Sequence, residues 1–284
     1  MIVVTGATGQ LGRLVIHHLL QRVPAERIVA AVRSPEKAVD LAELGVQVRH
    51  ADYDKPSTLD SALAEAEKVL LISSSEVGHR VAQHQAVIDA ATRAGVRLLA
   101  YTSLLHADDS PLGLAEEHRQ TEAAIRASGL PAVLLRNGWY HENFTASIQH
   151  DLQLGAHYGS SGDGRISAAA RNDYAEAAAR VLTAEQLPVG RIYELAGDDG
   201  FSLSEFAAEV SRQSGQNIPY RNIPTGDYQA ALLKAGLPTP VAELVADCSG
   251  AAASGTLFDD SRELSRLLGR PTTSLGEAVK VALG

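Results

Sequence analysis

The stretch VVTGATGQLGRLV, from Val3 to Val15, decides the fold. A β-branched run ends at Thr5, glycines follow at Gly6, Gly9 and Gly12, and Leu11, Val15, Leu19 and Leu20 then recur at helical spacing. A strand, a glycine-rich turn and a helix in that order are the setting in which backbone amides approach a pyrophosphate. Gly6 permits the turn, Gly9 brings the chain close to a ligand, Gly12 lets the helix pack against the strand, and the helix amino end supplies a favourable partial charge. The spacing is GxxGxxG, and neither the lysine nor the Ser/Thr of a Walker A loop follows it, which disfavours nucleoside triphosphate hydrolysis.

Working outward, apolar runs alternate with helical stretches: Ile2 to Thr5, Arg27 to Val32, Val46 to His50, Lys68 to Ser73, Arg97 to Thr102 and Ala132 to Arg136. Runs that are almost continuously apolar are buried on both faces, so the pattern predicts an α/β fold, a Rossmann-type doubly wound parallel sheet. Residues 1–136 form the expected dinucleotide-binding domain, with segments near 165–200 returning to the sheet through an alanine-rich helix and the run Arg191 to Leu195. Residues 137–284 are expected to form a smaller, mainly helical substrate domain. Within it, Ser202 and Glu205 have capping-box spacing, and helices are expected around Thr225 to Gly236, Pro240 to Asp247 and from Ser274.

With 284 residues, 45% hydrophobic and 21% charged, the chain can bury a sizeable core. Its net charge of −9 and scattered Lys and Arg exclude the basic stripe of a nucleic-acid binder. Cys248 is the lone cysteine, so no intrachain disulfide forms; no apolar run approaches membrane-spanning length, and a cytoplasmic protein is expected. The ten histidines have no metal-ligand spacing, and no metal is expected.

In ligand-binding sheets of this kind, the loops beyond the strands' carboxyl ends carry the site. The second run ends in Arg33, where an acidic residue would hydrogen-bond a ribose 2′-hydroxyl. Arg33 can instead pair with a 2′-phosphate, so NADPH is favoured and NADH remains possible. Two roles are open to Asp52: accepting from an adenine amino group, or capping the helix that follows Pro56. Ser73, Ser74 and Ser75 are small residues where the nicotinamide half should approach backbone. Asp173 is expected to cap the alanine-rich helix.

The segments VTGATGQLG, LLISSSEVG (Leu70 to Gly78), YTSLLHADDSPLGLAEEH (Tyr101 to His118), LLRNGWYHEN (Leu134 to Asn143) and GTLFDDSRELSRLLGRPTTSL (Gly255 to Leu275), with Arg33, resemble the NmrA-like atypical short-chain dehydrogenase/reductases over essentially the whole chain. The resemblance implies an NADPH-binding Rossmann domain and a quinone substrate that takes hydride directly, without flavin, in the cleft between the domains. Cofactor contacts carried over by motif are Gly6, Ala7, Thr8, Gly9, Gln10 and Leu11, then Arg33, Ser73 to Ser75, and the loop Asn137, Gly138, Trp139, Tyr140, His141 and Glu142. The family also contains non-catalytic regulators that sense the dinucleotide, and a monomer or homodimer fits either reading.

One departure matters chemically. Short-chain dehydrogenases carry Tyr-x-x-x-Lys on the helix after the fifth strand, whereas here the place reads His118-Arg-Gln-Thr-Glu122. That weakens alcohol-dehydrogenase and sugar-nucleotide epimerase readings alike. His118 and Glu122 share a helix face, either as a proton-relaying dyad or as a surface pair without chemistry. Asn143 and Tyr140 are the expected donors to a quinone oxygen, with Trp139 as packing, and Ser103 stands where the family's serine would orient a ligand.

Overall fold

The computed structural model describes residues 1–284. Its strands are β1 (Ile2–Thr5), β2 (Ile28–Val32), β3 (Gln47–His50), β4 (Lys68–Leu71), β5 (Leu98–Leu104), β6 (Ala132–Asn137), β7 (His157–Gly159), β8 (Ile192–Leu195) and β9 (Tyr220–Asn222). Seven of them form one sheet in the order β3-β2-β1-β4-β5-β6-β8. The pairs from β3 through β6 are all parallel, with Val3 opposite Val29 and Val69, and Val69 opposite Leu99. β7 and β9 pair separately and in parallel.

Alternate strand residues explain the unbroken apolar runs. Val3, Val29, Val69, Leu71, Leu99 and Tyr101 pack with Leu59, Val87, Ile88 and Ala91 from the helices Pro56–Ala62 and Arg80–Ala94. Their strand neighbours Ile2, Val4, Ile28, Leu70 and Leu98 are also buried, as are Leu11, Val15, Ile16 and Leu19 of the helix Gln10–Leu20. Each such aliphatic side chain contributes about 1.5–3 kcal/mol of transfer free energy, so a polar substitution on either face would break the sheet's cover.

The chain divides into two compact units: residues 1–107, 116–137 and 172–193 form the first, and 108–115, 138–171 and 194–284 the second. The alanine-rich helix Arg171–Thr183 thus contributes Asn172 onward to the first unit. Both capping boxes of the second unit form as full reciprocal pairs, Ser202 with Glu205 and Ser274 with Glu277. Asp173 does not cap the alanine-rich helix. It stands inside the first turn, completely buried, and the amide of Arg171 donates instead to the Glu142 carboxylate at 3.0 and 3.1 Å. No helix is long and apolar enough to cross a membrane.

Candidate dinucleotide site

The parallel register brings the carboxyl ends of β2, β1 and β4 side by side, and with them Arg33, the glycine turn and Ser73 to Ser75. Gly6 adopts φ of +59°, a left-handed value that β-carbon sterics disfavour in other residues. The Gly9 amide donates back to the Gly6 carbonyl at 2.9 Å, closing the turn. A β-carbon on Gly12 would sit 2.5 Å from that carbonyl oxygen and 2.7 Å from the Ala7 Cα, so the helix rests directly on the turn. The helix Gln10–Leu20 has no side-chain cap and no acidic residue in its first turn, which leaves its amino-terminal amides available to an anion. A turn that demands glycine at positions 6 and 12 and an uncapped helix start fit the pyrophosphate of a dinucleotide.

Arg13, which sequence reasoning did not single out, fastens this turn. Its Nε donates to the Thr8 carbonyl at 3.2 Å, Nη2 donates to the Lys37 carbonyl at 2.6 Å, and Nη1 pairs with Asp40. The glycine turn is thereby tied to the segment just past Arg33. Thr5 does the same between β1 and β4: its hydroxyl donates to the Leu70 carbonyl at 3.1 Å and accepts from the Ile72 amide at 3.1 Å. Tyr53 adds a phenol 2.6 Å from that hydroxyl, and burial raises the phenol's pKa to about 12. A single threonine at a strand end carries no sequence signal for such a role.

Arg33 is two-thirds exposed, and its Nη1 donates to Glu76 Oε1 at 2.9 Å. Asp52 is not the cap of the helix Pro56–Ala62, whose N-cap is Lys55 with no side-chain bond. Its Oδ1 accepts the Asp54 amide at 3.1 Å and its Oδ2 lies 3.3 Å from the Lys55 ammonium. Burial works against its charge, but the Asp54 amide and the charges of Lys55 and Arg33 hold its carboxyl below the usual range.

The serine segment after β4 is held by side chains from behind. The Ser73 amide donates to Thr102 Oγ1 and the Ser74 amide to His84 Nε2, each at 2.9 Å. Because Nε2 accepts, His84 carries its proton on Nδ1, 2.9 Å from Thr121 Oγ1. Burial first, and then the Arg80 guanidinium, bring the His84 pKa down to about 4, so the ring stays neutral and keeps its acceptor. His84 is another functional residue that the sequence pattern did not mark.

His118 and Glu122 form neither a relay nor a surface pair, because both are buried and each bonds elsewhere. His118 Nδ1 lies 2.8 Å from the Tyr101 hydroxyl, and burial, then Arg80 and His84, lower its pKa to about 3. Glu122 accepts from Ser103 at 2.6 Å and from Arg136 at 2.9 and 2.6 Å, with Arg136 only 4% exposed along its side chain. The Ser103 proton is therefore committed to Glu122.

At the end of β6, Asn137 is buried, and its Oδ1 has no hydrogen-bond partner. In the second unit, the Gly138 amide donates to Leu195 at 2.7 Å, and Trp139 through His141 pair with Ala169. The Arg171 guanidinium lies 4.8 Å over the Tyr140 ring, and His141 Nε2 donates to the Thr273 carbonyl at 3.0 Å. Asn143 is exposed in the short helix Glu142–Thr145. No group of three or more His, Cys, Asp or Glu is placed to hold a metal ion.

A Rossmann-type sheet with a glycine cradle and a basic residue after β2 defines a dinucleotide-binding protein. The chain belongs to the NmrA-like family, whose model matches residues 1–272. It is 54% identical to quinone oxidoreductase 2 of Escherichia coli over 98% of this chain and 97% of that protein. The solved structure of the NADPH-dependent quinone oxidoreductase QOR2 of Escherichia coli, complexed with NADPH, superposes with a TM-score of 0.98, 52% identity and complete coverage of both chains. Triphenylmethane reductase of Citrobacter sp., complexed with NADP(H), superposes with a TM-score of 0.95 at 39% identity, covering 99% of this chain and 100% of that one.

Proposed function

We infer that this chain is an NADPH-dependent quinone oxidoreductase that passes hydride directly to a quinone without flavin or metal. The observation that carries the reading is the 54% identity to an enzyme of that name sustained over 98% of the chain. Gly6 to Gly12 cradle the pyrophosphate, Arg33 takes the 2′-phosphate, Asp52 accepts from the adenine, and Ser73 to Ser75 with Asn137 to Glu142 hold the nicotinamide half. The orphaned Oδ1 of Asn137 is an acceptor suited to a ligand amide.

The bound NADPH supplies the hydride. This chain's residues orient it and exclude water, which is where most of the acceleration of such a step resides. Reducing an aliphatic ketone leaves a strongly basic alkoxide that demands a positioned acid. A reduced quinone is a delocalised phenolate, for which hydrogen-bond donors suffice. Consistent with that, His118 is neutral and covered, and Ser103 is spent on Glu122. Asn143 and Tyr140 supply donors to the quinone oxygen.

The test mixes purified protein, NADPH and a small benzoquinone, with flavin analysed in the same sample. Loss of the reduced-nicotinamide absorbance with no flavin present is expected. Binding of both cofactor forms without consumption would instead mark a dinucleotide sensor.

A further inference from the structure

We propose that Glu76 sets the preference between 2′-phosphorylated and plain dinucleotides by acting on Arg33, an inference that rests on Arg33 as the 2′-phosphate partner. Glu76 Oε1 accepts from Arg33 Nη1 at 2.9 Å, and both side chains face solvent, at 41% and 67% exposure. The carboxylate is not a free surface charge that can swing aside. Its Oε2 accepts from Gln83 Nε2 at 2.8 Å, and Gln83 is itself buried and also donates to Asp54 Oδ1 at 3.1 Å. The Glu76 backbone amide donates to Ser74 Oγ at 3.1 Å, so the residue is anchored to the serine segment as well. The Gln83 and Arg33 contacts keep its carboxyl below the usual range, hence ionised at neutral pH.

A 2′-phosphate that pairs with Arg33 must therefore share the guanidinium with a fixed carboxylate of the same sign. A plain ribose hydroxyl brings no charge and meets no such repulsion. Glu76 thus neutralises Arg33 when no phosphate is engaged and moderates the advantage that Arg33 gives to NADP(H), which makes it a positioning and specificity residue rather than a catalytic one. For a phosphate carrying nearly two charges at about 6 Å, screened with the dielectric of bulk water as befits exposed groups, removing the carboxylate charge should tighten binding roughly tenfold.

The experiment titrates the whole protein with NADP+ and with NAD+ by calorimetry, comparing the parent with Glu76→Gln, which keeps an acceptor for Arg33 but loses the charge. The expected result is a roughly tenfold lower Kd for NADP+, a change below about twofold for NAD+, and a gain that shrinks as salt is raised because the charges are exposed. Equal tightening of both dinucleotides, no change, or weaker NADP+ binding would each overturn the proposal. Arg33→Ala separates the two ideas: if it leaves NADP+ affinity intact, the 2′-phosphate reading itself fails. If it weakens NADP+ while Glu76→Gln is silent, only the role of Glu76 is lost.

Discussion

Replacing Gly12 by alanine tests the cradle most directly. The added β-carbon would lie 2.5 Å from the Gly6 carbonyl oxygen and 2.7 Å from the Ala7 Cα, both backbone atoms that cannot rotate away. Relief requires the amino end of the helix Gln10–Leu20 to lift by roughly an ångström, at an overpacking cost of about 1–3 kcal/mol. Against this, alanine in a helix recovers about 1 kcal/mol over glycine, so the net loss of folding stability should be about 0–2 kcal/mol, a fall in Tm of up to several degrees. Dinucleotide binding should suffer more. A displaced amide that donates to a phosphate forfeits about 1.5–3 kcal/mol, which corresponds to a Kd for NADPH weakened by roughly ten- to a hundredfold. Gly226→Ala is the control: Gly226 lies in the helix Thr225–Lys234, and a β-carbon there meets nothing within 4 Å. It should raise Tm slightly and leave NADPH binding alone. Thermal melts and titration of NADPH fluorescence provide both readouts. If Gly12→Ala behaved like Gly226→Ala, the close approach of helix and turn would not be what shapes the site.

Arg33→Asp should raise the KM for NADPH far more than that for NADH in steady-state assays, and an equal effect on both would remove the account of the 2′-phosphate. Glu122→Gln should cost about 3–5 kcal/mol in urea unfolding, because it breaks the buried ion pair with Arg136. Ser103→Ala should cost about 1.5–3 kcal/mol, the value of a hydrogen bond to a charged group, without abolishing quinone turnover. His84 and His118 have folded pKa values of about 4 and about 3, below the usual 6.5, so the unfolded chain binds more protons in that interval. Their contribution is complete above pH 6.5 and lost as pH falls toward 4, on the order of 3 kcal/mol for each by pH 4, which denaturant melts at stepped pH would measure. His118→Ala should flatten part of that slope and leave quinone reduction largely intact.

The sheet was legible because its strands are buried on both faces, and that condition writes itself into sequence as runs such as Ile28 to Val32 and Lys68 to Leu71. The glycine turn was legible because φ of +59° at Gly6 and the backbone contact at Gly12 admit no other residue without strain. What supports the site was not. Arg13 binding the Lys37 carbonyl, His84 accepting from Ser74 and Gln83 gripping Glu76 join residues that meet only after the sheet has formed. Their side chains belong to helix positions whose local pattern is the same whether they face solvent or a loop. Asp173 and Glu142 show the converse, since a local capping rule chose Asp173 and a partner 29 residues away in the chain took the amide of Arg171.

The pair His118 and Glu122 carries that lesson into chemistry. Their spacing places them on one helix face, and the pattern alone offered either a relay or an idle surface pair. Burial decides against both. A carboxylate with no exposure is stable only with its charge met, and Arg136 and Ser103 meet it. A histidine brought to a pKa of about 3 is a neutral imidazole at pH 7 and offers no acidic imidazolium proton. The two positions that serve a short-chain dehydrogenase as acid and pKa-lowering cation are thus built into the packing of the helix Gly113–Ser128 against β5 and β6. A protein arranged this way retains the means to hold a dinucleotide while giving up that general acid, an arrangement suited to acceptors whose reduced form is a weak base.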